Sequence, residues 1–291
     1  MPIVSKDTVL LTFLFEEMPE ISRSRIRQFL REGRILVNGN SVCQHDAPLA
    51  VGDKVVVGGT KTVAPTGFSG RHVRSVYEDR FLIVVEKHEG ILSMATSHHS
   101  FCVKTVLDNY FERTRQRCRA HLVHRLDRDT SGLMIYAKSR EVQKLFESDW
   151  KGFVFDRRYV AVASGMLEHD SGTVTSWLKD NKQYFTMSSP FDNGGKIAIT
   201  HYKVLERGRR NTLVELRLDT GRKNQIRVHL SDLHHPVVGD KKYGAAVFQD
   251  ALPSESKRMY LHAVRLYFRH PVTGEELHFS TPVPPDFIAV L

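Results

Sequence analysis

Apolar positions change their period along the 291 residues. Near the start they recur at helical spacing. Val9, Leu10, Phe13 and Leu14 mark one helix face, and Ile26, Phe29 and Leu30 mark a second. Ser22 stands where an N-cap belongs, and Gly33 follows the second helix. Ile35-Leu36-Val37 then runs into Asn38-Gly39, a hairpin signal, and a strand from Lys54 to Val57 follows the Gly52-Asp53 turn. Residues 58–73 are rich in Gly, Thr, Ser and Pro without a period, which predicts a flexible linker. The pattern divides the chain into a small unit at 1–57, the linker, and a larger domain at 74–291.

In the larger domain the period shortens. Phe81 to Val85 is a continuous apolar run and reads as a buried strand; Val103 to Phe111 reads as a helix. Ser139 caps a predicted helix through Trp150, with Val142, Leu145 and Phe146 inward. Strands are predicted at Arg157–Val162 and Leu213–Leu218, and a hairpin from Tyr267 to Leu277 turns at Thr273-Gly274. Residues 166–200 read as loops with an accessory hairpin, and Thr281 to Pro285 as a tail over the surface. Short strands, turn signals and few helices give an α+β domain on a mixed, largely antiparallel sheet.

One stretch breaks the pattern. Between the apolar runs Leu122-Val123 and Leu133-Met134-Ile135 lies His124-Arg125-Leu126-Asp127-Arg128-Asp129-Thr130-Ser131-Gly132. Strand, polar loop, strand is the reading, and such loops carry binding and catalytic groups. Two carboxylates and two arginines there are costly to bury unless paired. A solvated turn is the bland alternative.

Charge sharpens the picture. The formal net charge is +9, which favours a polyanionic partner. Arg23, Arg27 and Arg31 line one face of the second helix with little acid to counter them, a stripe suited to phosphate. Arg113, Arg115, Arg117 and Arg119 alternate just before the central loop and suit RNA backbone contact equally. No basic stretch precedes an apolar one at the start, and no apolar run could span a bilayer, so no signal peptide and no membrane partner is expected and a cytoplasmic setting is. Cys43, Cys102 and Cys118 lack paired spacing, and none of the fifteen histidines has metal-ligand partners at metal spacing, so no metal is expected.

The central loop, His-Arg-Leu-Asp then Thr-Ser-Gly, resembles the core motif of the RluA-type pseudouridine synthases. Thr220-Gly221-Arg222 followed by Gln225-Ile226-Arg227 resembles that family's third motif, with Asn224 where histidine is common; Leu261-His262-Ala263 fits a late motif. Lys87-His88-Glu89-Gly90 half-matches its Lys-Pro-x-Gly, with His88 in place of proline. Ser22-Arg23-Ser24-Arg25, Phe29-Leu30, Gly33 and Val37-Asn38-Gly39 resemble an S4-type RNA-binding module.

The resemblance implies the pseudouridine synthase fold and the isomerisation of uridine in structured RNA, ribosomal RNA first and transfer RNA second, by a cofactor-free enzyme expected to be a monomer. It makes Asp127 the catalytic carboxylate, Arg227 its ion-pair partner and Tyr159 the aromatic against the target base. Arg125 holds the nucleotide out of its helix, Arg222 faces RNA, and Leu261 packs the base pocket. An inert RNA-binding protein would explain the charge but not the set Asp127, Tyr159 and Arg227. A metal-dependent reading of Asp127-Arg128-Asp129 leaves Arg227 unexplained.

Overall fold

A computed structural model describes residues 3–31, 35–38, 40–42, 44–57, 68–96, 100–244 and 258–291. Two compact units separate, Met1–Phe68 and Ser69–Leu291.

The first unit holds β1 (Thr8–Val9), α1 (Leu10–Glu17), α2 (Arg23–Arg31), β2 (Ile35–Val37), β3 (Asn40–Ser41), β4 (Pro48–Leu49) and β5 (Val55–Val57). β2 lies between β3 and β5, antiparallel to both, and β1 pairs with β4. Leu10, Phe13 and Leu14 of α1 and Ile26, Phe29 and Leu30 of α2 bury against Ile35 and Val55. The Ser22 hydroxyl accepts the Arg25 N–H at 3.3 Å, beside that group's 2.9 Å bond to the Ser22 carbonyl, as an N-cap does. Val9 does not join the α1 face; it precedes the helix and is 40% exposed. Gly33, Gly39 and Cys43 lie outside the described residues, as do positions 58–67 of the expected linker.

The second unit opens with β6 (Val73–Glu78), β7 (Leu82–Lys87), α3 (Val103–Arg113), β8 (His121–Leu122) and β9 (Ser131–Ala137). There follow α4 (Arg140–Ser148), α5 (Trp150–Phe153), β10 (Val154–Ser164), β11 (Ser171–Asp180), β12 (Thr186–Ser189), β13 (Lys196–Arg207) and β14 (Asn211–Leu218). α6 (Gln225–Asp232), β15 (Leu261–Arg269), β16 (Glu276–Ser280) and α7 (Pro285–Ile288) complete it. One sheet runs β12-β11-β13-β14-β10-β15-β9-β7-β6, with β8 on β9 and β16 on β15. Every pairing in it is antiparallel except β9 with β15.

That parallel contact explains the glycine of Thr-Ser-Gly. Gly132 stands opposite Ala263 with φ of 117°, and a β-carbon there would strike the Ala263 backbone. Only glycine lets the strand that follows the central loop approach β15 so closely.

Three expectations change. Residues 166–200 are not mainly loops: β11 and β13 run for 10 and 12 residues and extend the main sheet. The helix after Ser139 stops at Ser148, and Trp150 begins a separate short turn. Ser139 caps as expected, its hydroxyl accepting the Val142 N–H, but Leu145 is 39% exposed while Val142 and Phe146 are buried. The terminal tail is pinned by Phe287, fully buried against Tyr260 and Val162.

Candidate active site

The polar loop between β8 and β9 is fixed from behind at several backbone groups. Ser93 Oγ donates to the Leu126 carbonyl at 2.8 Å and accepts the Leu126 N–H at 3.2 Å. Lys87, fully buried, donates to the carbonyls of Arg128 (2.8 Å), Ile91 and His88 (both 2.9 Å). The Gly90 N–H adds a second bond to the Arg128 carbonyl, at 2.9 Å. Burial pushes the Lys87 ammonium down to about 7, against the pull of the Asp129, Asp127 and Glu89 carboxylates. His124 Nε2 accepts the Ile135 N–H at 3.0 Å, tying the loop's start to β9. Burial and the neighbouring Arg157 push this imidazole down to about 3, so it is neutral.

Across the cavity, the loop after β14 turns into α6. The buried Gln225 organises that turn: its Oε1 accepts from Thr220 Oγ1 (2.8 Å) and the Arg222 N–H (2.9 Å), and its Nε2 donates to the Ile199 carbonyl (2.9 Å). Asn224 sits in the left-handed region with φ of 54°, which asparagine tolerates. One turn into the helix, Arg227 faces the central loop.

The Arg227 guanidinium is bound twice over. Its Nε and Nη2 donate to the two oxygens of Asp240 at 2.7 and 2.8 Å, and its Nη1 donates to Asp127 Oδ2 at 3.2 Å and to Asn224 Oδ1 at 3.1 Å. Asp240 is enclosed, Arg227 nearly so, and Asp127 keeps 23% of its side chain exposed. Burial works against the charge on Arg227, but the Asp240 and Asp127 carboxylates outweigh it and raise its pKa. Asp240 therefore holds the guanidinium in a fork, and the remaining edge is presented to Asp127.

Asp127 and Arg227 open onto a cavity of about 530 Å³. Of the residues picked from the sequence, Asp127, Tyr159, Arg227, Arg125, Arg222 and Leu261 all line it. Tyr159 is 6% exposed and Leu261 is 3% exposed. They stand on adjacent strands, Tyr159 opposite Ala263 and Ala161 opposite Leu261. Arg125 is exposed, and its guanidinium bonds no described residue; Arg222 donates through Nε to the Ile197 carbonyl at 3.0 Å. Asp129 turns to its neighbour Arg128, at 3.0 Å. In the first unit Arg23 and Arg27 are exposed and both lie over the Phe15 ring, at 5.2 and 5.4 Å from its centroid. Arg31 is the last residue of α2, and its side chain lies outside the description. Arg113, Arg115, Arg117 and Arg119 are all exposed.

Sequence reasoning passed over three residues of this site. Asp240 was marked by no periodicity or spacing in the sequence. Lys87 was visible only as half of a motif. Arg157, which lines the cavity and lies 5.2 Å over the Trp150 ring, was read as part of a strand.

Comparison with known proteins agrees with this architecture. Over 290 residues the chain is 35% identical to "Ribosomal large subunit pseudouridine synthase D" of Neisseria meningitidis serogroup A, covering 94% of this chain and 75% of that protein. It is 34% identical over 289 residues to the protein of the same name from Vibrio cholerae, covering 94% and 87%. Among solved structures, "Human RNA Pseudouridylate Synthase Domain Containing 1" aligns with a TM-score of 0.59 at 26% identity, over 77% of this chain and 89% of that one. Residues 10–55 match the S4 domain, and residues 81–232 match the family described as RNA pseudouridylate synthase, to which this chain belongs.

Proposed function

We propose that this pseudouridine synthase acts on specific uridines of large-subunit ribosomal RNA, as a cytoplasmic monomer, with Asp127 as its catalytic carboxylate. The observation that carries the reading is the Asp127–Arg227 pair at 3.2 Å in a cavity of a size suited to a single nucleotide. The names of the relatives support the choice of RNA.

The reaction breaks the N1–C1′ bond, turns the base and rejoins it through C5, with no net redox change. It needs an ionised carboxylate at the ribose. Arg227 donates through Nη1 to Asp127 Oδ2 at 3.2 Å, and its own fork to Asp240 keeps it from being drawn away. From there Asp127 either attacks C1′ as a nucleophile or takes a proton from C2′. The uracil must leave its stack to reach the cavity. Tyr159 and Leu261 would form the apolar wall against the base, and Tyr159 would assist proton loss at C5. Arg125, exposed at the rim and unengaged by described residues, would hold the extruded nucleotide. Arg222, Arg23 and Arg27 would contact phosphate.

The test is pseudouridine mapping on total cellular RNA from a deletion strain complemented with wild type or with Asp127→Asn. One or a few large-subunit sites should vanish with the deletion, return with wild type and stay absent with the variant, while the variant protein melts like wild type. Sites that change only in transfer RNA would overturn the substrate assignment. Sites restored by Asp127→Asn would overturn the role of the carboxylate.

A further inference from the structure

The hairpin joining β11 to β12 carries a residue its backbone disfavours. The Asn181 carbonyl accepts the Tyr184 N–H at 3.0 Å, and the Asn181 N–H donates to the Phe185 carbonyl at 2.8 Å. These two bonds are the pattern of a three-residue hairpin loop closed by a G1 bulge, whose last position is left-handed and ordinarily glycine. Tyr184 occupies it with φ of 59°. A bulky side chain bears a steric cost there that glycine would not.

The hairpin tip is nonetheless held firmly. Asn181 Oδ1 accepts the N–H groups of Gln183 (3.0 Å) and Phe185 (2.9 Å). Two ammonium groups converge on the Tyr184 carbonyl, Lys223 at 3.1 Å and Lys242 at 3.0 Å. Lys223 also pairs with Asp180 at 2.8 Å, and its Nζ lies 5.6 Å from the Tyr184 ring centroid. The next residue, Phe185, packs on Tyr243 with centroids 4.6 Å apart. Tyr184 itself is 75% exposed, and its hydroxyl bonds no described group. The fold uses Phe185 for packing and leaves the tyrosine ring in solvent, anchored at its backbone.

Its place gives the ring a use. Lys223 lines the cavity that contains Asp127, and its neighbour Asn224 bonds Arg227. Tyr184 does not itself line the cavity; it touches Lys223, which does. Strain that persists only because its surroundings enforce it points toward function.

We propose that Tyr184 is a stacking platform for an unpaired nucleobase of the RNA substrate, one that flanks the uridine entering the cavity. The inference rests on the reading of this protein as an enzyme acting on RNA. Lys223 attends the ring, and its wide exposure leaves room for a base. Because every base has a π face, the platform selects unstacked RNA around the target rather than a sequence.

Glycine and phenylalanine at position 184 separate the possibilities. Affinity for an unmodified large-subunit ribosomal RNA transcript is measured by filter binding, beside the single-turnover rate at saturating RNA and the melting temperature. Tyr184→Gly relieves the backbone, so it should melt no lower than wild type, yet bind at least about fivefold more weakly for want of one base–aromatic stack. Its rate at saturation should stay within about twofold, because the ring touches no reacting atom. Tyr184→Phe should bind like wild type. Wild-type affinity in Tyr184→Gly overturns the platform. So does a loss in Tyr184→Phe equal to that in Tyr184→Gly, since the hydroxyl rather than the ring face would then be acting. A wild-type protein that binds the transcript but forms no pseudouridine in it contradicts the proposed substrate, and the comparison of glycine with phenylalanine still decides the platform. A wild-type protein that does not bind it overturns both.

Discussion

Replacing Asp240 by asparagine tests the support behind the site. Asp240 has no exposed side-chain surface, and its carboxylate receives four donors. Two come from Arg227, at 2.7 and 2.8 Å; the other two are the backbone N–H groups of Lys242 (2.9 Å) and Tyr243 (3.1 Å), both on Oδ1. Asparagine keeps the shape. If its oxygen stays on Lys242 and Tyr243, its NH₂ faces Arg227 Nε, donor against donor. If it flips, the NH₂ meets two backbone N–H groups and Arg227 Nη2 instead. Either way Arg227 stays almost enclosed with its principal counter-charge gone. Removing one partner of a buried ion pair costs about 3–5 kcal/mol; the surviving contact to Asp127 argues for the lower end, about 3 kcal/mol. For a unit the size of Ser69–Leu291 that is a fall of about 6–12 °C in melting temperature. The guanidinium should then shift from Asp127, and a displacement of about 1 Å can cost on the order of 100-fold in rate. Differential scanning calorimetry gives the first number, and single-turnover pseudouridine formation well below the new melting temperature gives the second. An Asp240→Asn protein that melts within about 2 °C of wild type and turns over at its rate would refute the argument that a buried carboxylate aims Arg227.

Two further outcomes follow from charge. Burial holds the imidazoles of His229 and His262 down to about 4, while the unfolded chain protonates them near 6.5. Between those values the unfolded state binds the extra protons, so stability is lost as pH falls from 6.5 to 4; the melting temperature should drop across that window, and His229→Gln should make the drop shallower, an unchanged slope counting against burial as the cause. On α2, the double variant Arg23→Gln, Arg27→Gln should lower the slope of log affinity against log salt by about 1–2 while leaving turnover at saturating RNA intact; an unaltered slope would remove that helix from the RNA contact.

How far the sequence reaches depends on where the signal lives. Local signals read correctly. Ser22 and Ser139 each accept the backbone N–H three residues on, a contact between near neighbours. The strands β11 and β13 were obscured because their faces mix: Ser176 and Thr200 are buried beside Leu178 and Ala198, while Ile197 and Leu205 are exposed, so apolar and polar positions do not alternate cleanly. Helix α6 was obscured by its own interior, since Gln225 and His229 are buried polar residues and break the apolar stripe. His229 is enclosed with both ring nitrogens bonded, to Ser176 at 3.0 Å and Thr200 at 2.8 Å, neither of them near it in the chain. The Asp127–Arg227 contact joins residues 100 positions apart, and no periodicity reports it; only the resemblance of two separate motifs to one family brought them together.

The departure at His88 shows which part of a motif its structure needs. Proline would have stiffened the chain after Lys87 but could not have donated a hydrogen bond. The His88 N–H donates to the His72 carbonyl at 2.9 Å, so the segment is held by a bond where a ring would have held it. The imidazole is exposed. What reaches the site is unaffected by the exchange: Lys87 and Gly90 both still bond the Arg128 carbonyl, one residue past Asp127. Gly90 keeps φ of 81°, a conformation that lets its N–H meet that carbonyl and that most other residues would resist. The content of the motif present here is therefore a buried ammonium and a left-handed glycine closing on one backbone oxygen, and the histidine between them leaves both of those bonds to the loop that carries Asp127 in place.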